Sequence, residues 1–98
     1  MYIKEISGSE LEKVLDEFVI IDVRTSNEYH SGHIKGAINI GFEEILDNID
    51  QLDKEKPIVL YCRTNRRSEY AALSLIGAGF RHVFVAPGVE MYDYELVR

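Results

Sequence analysis

The chain has 98 residues, 46% hydrophobic and 29% charged, with a net charge of −6. That is one globular domain's worth, assigned to residues 1–98, and the balance excludes a disordered or collagen-like polypeptide. No apolar run approaches the roughly 20 residues that span a bilayer, and the acidic charge disfavours nucleic acid and anionic membrane as partners.

In chain order, residues 2–6 read as a short edge strand. Met1–Ile6 lacks the basic start and apolar stretch of a signal peptide. Ser9-Glu10-Leu11-Glu12 has the form of a capping box, and Leu11, Val14, Leu15 and Phe18 follow at helical spacing, predicting a helix over 10–17. Phe18–Val23 is a β-branched apolar run, the pattern of a strand buried on both faces. A helical turn over 26–30 and a short strand over 37–40 follow. Phe42, Ile45, Leu46 and Ile49 recur at i, i+3, i+4 and i+7, predicting a core-facing helix over 42–49. The polar stretch 50–56 reads as a solvated connection.

Pro57–Tyr61 reads as a second buried strand, with proline at the first position where no ladder N–H is needed. Ser68–Ala78 is apolar nearly all round and predicts a deeply buried helix, stopped by Gly79 at C′. His82–Ala86 is the last predicted strand, and Pro87-Gly88 turns into a final short helix. Strands alternating with helices imply an α/β fold. It is an open, mostly parallel sheet of about five strands with helices on both faces.

In such sheets ligands bind beyond the carboxyl ends of the strands. Three segments fall there: Asp22-Val23-Arg24, Cys62–Ser68 and Pro87-Gly88. The middle one carries the chemistry. Cys62 is the only cysteine, so it has no disulfide partner in the chain, and it suits a reducing cytoplasm. The loop to Ser68 is short enough to curl its amides inward as an anion nest, and the helix dipole adds to the same point. Arg63, Arg66 and Arg67 make a local basic cluster on an acidic chain. These surroundings favour thiolate over thiol and place the sulfur, ionised and open to solvent, at the floor of a bowl of amides. The competing reading is a small buried hydrophobe that merely ends a strand. The anion-binding loop is assigned to Arg63, Thr64, Asn65, Arg66 and Arg67, with Arg63 and Arg67 ranked ahead of Arg66, since one of three arginines usually faces water. Thr64 reads equally as a hydroxyl donor and as a turn former. Glu69 is expected to point outward.

Phosphatase-type loops follow the pattern Cys, five residues, Arg, but here that spacing leads from Cys62 to Ser68, with Arg67 one position early. The stretch from Ile21 to Ile40 contains Asp22-Val23-Arg24, Glu28-Tyr29, Gly32-His33-Ile34, Gly36-Ala37 and Asn39-Ile40. With the six-residue loop Cys62–Arg67 and Val85-Ala86-Pro87-Gly88 … Tyr92, it resembles the rhodanese-like sulfurtransferase family over almost the whole chain. The resemblance implies that Cys62 takes a sulfane sulfur from a donor such as thiosulfate as a persulfide. It then passes the sulfur to cyanide or a thiol, with a protein as a further kind of acceptor. It implies no cofactor and no metal. Arg63 points to thiosulfate over mercaptopyruvate, since the family's mercaptopyruvate enzymes often carry glycine there. Three departures stand out: Asn65 replaces a frequent glycine, Val89 replaces the second glycine of the closing segment, and Tyr92 replaces its tryptophan.

Asp22 and Arg24 read as structural, with Arg24 paired to Glu28 and Asp22 helping to orient the loop. His30 and His33 lack further ligands for a metal, and His33 is expected to hold a turn through a backbone hydrogen bond. Phe84, Met91, Tyr92 and Tyr94 are assigned to the core. The other functional classes are a non-turnover persulfide carrier or regulatory module, and a phosphatase or arsenate reductase.

Overall fold

The computed structural model describes residues 3–98. The elements are β1 (Lys4–Glu5), α1 (Gly8–Lys13), β2 (Val19–Asp22), α2 (Ser26–Ser31), β3 (His33–Ile34), β4 (Ile38–Asn39), β5 (Ile58–Tyr61), α3 (Arg66–Gly77), β6 (Val83–Val85) and β7 (Leu96–Val97). The main sheet is parallel throughout, in the order β1-β6-β5-β2-β4. β1 is the edge strand expected near the N-terminus; the first residue of that expectation, Tyr2, lies outside the described residues.

The two buried central strands sort their side chains by the period of two. Ile21, Ile58, Leu60 and Cys62 join Val83, Val85, Ala71, Ala72, Leu75 and Phe80 beneath α3. Ile20, Val59 and Tyr61 join Leu11 of α1, Ile34, Ala37 and Tyr94 on the opposite face. Each fully buried aliphatic contributes about 1.5–3 kcal/mol, so the register Ile20↔Val59, Ile21↔Leu60, Asp22↔Tyr61 is strongly specified. A one-residue slip would exchange the two faces. This alternation is what aims Cys62 toward α3.

Several local expectations are corrected. The capping box is Ser7 with Glu10, not Ser9 with Glu12, and α1 starts at Gly8. Ser7-x-x-Glu10 has the same spacing, and the Tyr92 ring lies where a Cβ at Gly8 would stand. The helix then ends at Lys13 and a 3-10 turn follows at Leu15–Glu17.

The helix expected over 42–49 is two 3-10 segments, Phe42–Glu44 and Leu46–Gln51. Ile45, between the two segments, lies in the core with Phe42, Ile49 and Leu52 against it, while Leu46 is 52% exposed. α3 begins two residues earlier than expected and is buried on one face only: Ala71, Ala72 and Leu75 are inside while Tyr70 and Leu73 face solvent. Its end is as expected. Gly79 has φ +98°, and the amides of Gly79 and Phe80 bond back to Ile76 and Leu75 in a Schellman motif.

No helix follows Pro87-Gly88; the chain makes turns and then β7, which pairs antiparallel with β3. That pairing joins segments too far apart for local periodicity to reveal. Of the residues assigned to the core near the C-terminus, Tyr94 is buried but Met91 is 59% exposed. No helix among the described residues is long and apolar enough to cross a membrane.

Candidate active site

β5 delivers Cys62 at the carboxyl end of the sheet, and α3 starts four residues later. The connection closes because Asn65 takes a left-handed backbone, φ 82° and ψ −20°, a conformation asparagine tolerates better than most residues. This turn aims the Asn65 amide at the sulfur: Asn65 N–H donates to Cys62 Sγ at 3.0 Å. Ser68, fully buried, sets its hydroxyl 3.5 Å from the same sulfur while donating to the Asn65 carbonyl at 2.9 Å.

Asn65 makes no side-chain cap on α3. Its Oδ1 accepts from the Gly88 amide at 2.8 Å instead, tying the loop to the segment after β6. The first amides of any α-helix lack intrahelical partners, and those of Arg66, Arg67 and Ser68 lie beside the sulfur's loop. The sulfur itself is not open to solvent as expected: Cys62 is 1% exposed and packs in the aliphatic cluster under α3. The tight loop folds its own amide and Ser68 over the Sγ atom.

Pro87-Gly88 closes the back of the loop. The Val89 amide donates to the Cys62 carbonyl and the Glu90 amide to the Arg63 carbonyl, at 3.0 and 3.1 Å. A side chain at position 88 would collide with the Arg63 backbone. Only glycine permits this approach.

The arginines separate. Arg67 makes a two-pronged pair with Glu28, Nη1 to Oε1 at 2.9 Å and Nη2 to Oε2 at 3.2 Å. The Arg67 bond holds the Glu28 carboxyl down at about 2, against the opposing effect of burial, and Thr25 adds to the lowering. Arg67 is raised in turn, chiefly by Glu28, with the charge of Cys62 contributing. Arg63 and Glu90 sit 3.4 Å apart, both more than half exposed. Arg66, Thr64 and Glu69 are exposed.

The expected Arg24–Glu28 pair does not form. Asp22 and Arg24 lie two residues apart on the same side of the end of β2. Arg24 therefore binds Asp22, Nη2 to Oδ2 at 2.6 Å and Nε to Oδ1 at 2.9 Å, and reaches the Gly32 carbonyl at 2.7 Å. Burial pushes the Arg24 guanidinium down, and Asp22 more than offsets it, leaving it raised. Tyr61 completes this buried network on the face of the sheet opposite Cys62. Glu28 is instead the third residue of α2, where it accepts from the Thr25 amide and hydroxyl in a capping box. The Thr25-x-x-Glu28 spacing was visible in the sequence; the reach to Arg67 was not.

Both histidines use Nδ1 on backbone carbonyls: His30 on Ser26 and His33 on Tyr29, at 2.8 and 2.9 Å. His33 thus holds the α2–β3 turn as expected, stacked on Tyr29 with ring centroids 3.9 Å apart.

The site is thus a parallel α/β sheet whose central strand ends in a cysteine, beside the start of a helix that has no side-chain cap. The sequence model for the Rhodanese-like domain matches residues 7–88, and the chain belongs to that family. It is 35% identical over 98 residues to "Putative sulfurtransferase YtwF" of Bacillus subtilis, covering 97% of this chain and 95% of that one. It is 31% identical over 86 residues to thiosulfate sulfurtransferase GlpE of Coxiella burnetii, covering 86% and 80%. The crystal structure of SSP1007 from Staphylococcus saprophyticus superposes with a TM-score of 0.86 at 28% identity, covering 98% of this chain and all of that one. Sulfurtransferase activity is therefore the family-level reading.

Proposed function

We propose that the protein is a sulfurtransferase that carries sulfur on Cys62. The Cys62 thiolate attacks the outer sulfur of a donor such as thiosulfate. A sulfur–sulfur bond forms at Cys62, the donor's sulfur–sulfur bond breaks, and its electron pair leaves on sulfite. Cyanide or a thiol, free or on a protein, then attacks the outer sulfur of the persulfide and regenerates the thiolate, a covalent two-step cycle.

The observation that carries this reading is the Asn65 amide donating to Cys62 Sγ at 3.0 Å, beside a helix start that lacks a side-chain cap. The same donors stabilise the negative charge on a persulfide. Arg63, Arg66 and Arg67 lie on the loop, with Arg67 paired to Glu28 and Arg63 near Glu90, and Thr64 is exposed. Asp22 and Arg24 act at a distance, holding the neighbouring strand end. A cytoplasmic setting suits a lone reactive thiol. Sulfurtransferases among the relatives support the assignment.

The test is mass spectrometry of the intact protein after thiosulfate treatment. A gain of one sulfur atom on Cys62, discharged by cyanide, is expected. Full thiosulfate:cyanide turnover by Cys62→Ser removes the proposal. A second reading, a carrier serving one protein, is favoured by the 1% exposure of Cys62. It predicts sulfur loading without turnover on cyanide, whereas free turnover supports the enzyme.

A further inference from the structure

Cys62 Sγ, Ser68 and the Asn65 backbone form a closed ring of hydrogen bonds. The Asn65 amide donates to Sγ at 3.0 Å, Sγ stands 3.5 Å from Ser68 Oγ, and Oγ donates to the Asn65 carbonyl at 2.9 Å. Ser68 is fully buried, so its hydroxyl finds its partners within this ring. A hydroxyl has one hydrogen and two lone pairs. With the hydrogen on the Asn65 carbonyl, Oγ offers the sulfur a lone pair. That arrangement suits the thiol, whose S–H donates to Oγ. It opposes the thiolate, which can only accept. The Asn65 carbonyl, however, has a second donor: the Glu69 amide reaches it at 3.0 Å as the first turn of α3 closes. It stays hydrogen-bonded when the Ser68 hydrogen leaves it.

Turning that hydrogen to Sγ exchanges a bond between neutral groups for a bond to an anion, and bonds to ionised groups are roughly twice as strong. Rotation about the Ser68 Cβ–Oγ bond is enough, with no movement of the backbone. We propose that Ser68 is a catalytic residue: its hydroxyl turns from the Asn65 carbonyl to Cys62 Sγ when the thiol ionises, and donates to the thiolate alongside the Asn65 amide. The S–H proton goes to a buffer base. The Ser68 proton stays on Oγ and only changes partner. In the transfer cycle, where the inference rests on Cys62 as the sulfur carrier, this donor acts twice. It steadies the thiolate that attacks the donor's outer sulfur, and again the thiolate that leaves when the acceptor takes that sulfur away. Arg67 is the other group that acts on the sulfur's charge, and it is bonded to Glu28. Arg63, near Glu90, and Arg66 are exposed on the loop, and the rest of the cluster that holds Cys62 is apolar.

Cys62 is the only cysteine, so its ionisation can be followed by ultraviolet thiolate absorbance against pH, with Cys62→Ser as the baseline for the tyrosines. Ser68→Ala removes the hydroxyl and adds no bulk. It is expected to lower the ratio of thiolate to thiol at a given pH by roughly three- to thirtyfold, the excess of a bond to a charged group over one between neutral groups. The titration therefore moves to higher pH. Sulfur loading from thiosulfate at neutral pH should slow by a like factor and recover as the pH is raised. Ser68→Thr keeps the hydroxyl and should titrate with the wild type. A merely structural hydroxyl lowers stability in urea and leaves the titration in place. Titration of Ser68→Ala at or below the wild-type pH overturns the proposal, as does a folded Ser68→Thr that titrates with Ser68→Ala. The alanine comparison decides alone if the threonine variant does not fold. Failure of thiosulfate to load wild-type Cys62 at any pH is a different result: it sinks the persulfide reading and the part of Ser68 in transfer, while the titration still decides whether the hydroxyl meets the thiolate.

Discussion

The Tyr61 hydroxyl donates to Asp22 Oδ2 at 2.8 Å and accepts from the Ile34 amide at 3.0 Å. The residue preceding Cys62 is thereby fastened to the neighbouring strand and to β3. Burial, then the Asp22 charge, pushes the Tyr61 hydroxyl up, so it remains a donor. Tyr61→Phe strips one bond from a buried carboxylate and leaves a buried amide unpaired. The expected cost is about 1–3 kcal/mol in urea denaturation. A variant as stable as the parent shows that water or backbone movement replaces the hydroxyl.

Asp22→Ala is the harsher change in the same network. It leaves the Arg24 guanidinium, 5% exposed, without its counter-charge. Breaking a buried pair from one side costs about 3–5 kcal/mol. Loss of a cooperative thermal transition at ordinary temperatures is the expected readout, and a drop of only a degree or two contradicts it.

Asn65 serves the loop twice, through its left-handed backbone and through Oδ1 on the Gly88 amide. Two substitutions separate the roles. Asn65→Gly keeps the backbone and loses the bond; Asn65→Ala loses the bond and adds strain of about 1–2 kcal/mol. Alanine should therefore be the less stable variant and lose more sulfur-transfer activity. The reverse order means that glycine's added flexibility costs the loop more than the left-handed backbone costs alanine.

Gly88→Ala drives a methyl group into the Arg63 backbone. Overpacking of this kind typically costs about 1–3 kcal/mol. Because the strain falls on the residue after Cys62, turnover should suffer along with melting temperature. Normal turnover at reduced stability places the relaxation on the 88–91 side instead.

Glu28 gives a pH dependence. Its carboxyl is lowered from 4.5 to about 2 in the folded protein, first by Arg67, with burial opposing. A depressed folded value means the ion pair stabilises the fold fully above 4.5 and fades as pH falls through about 2. The stability gap between wild type and Glu28→Gln should accordingly close across that interval in urea titrations. A gap independent of pH assigns the stabilisation to hydrogen bonding that glutamine retains.

What could be read early was local. Val19–Asp22 and Ile58–Tyr61 were legible as buried strands because their apolar runs admit no exposed face. Gly79 was legible as a helix stop because few other residues accept its φ of +98°. The Ser9–Glu12 capping box was misplaced by two residues: the cap is Ser7 with Glu10, and Tyr92 packs on Gly8 at that helix start. The 42–49 stripe reads as one helical face, but two 3-10 segments stand there instead and Leu46 leaves that face.

From its order of residues alone, the chain determined a parallel α/β fold and a cysteine loop at a strand's carboxyl end, because side-chain periodicity and turn chemistry act between near neighbours. Only the tertiary structure decided which charges surround that cysteine. Arg67 meets Glu28 across 39 positions and Asn65 meets Gly88 across 23. Pairings of that span depend on how the sheet is wound, and no local rule encodes them.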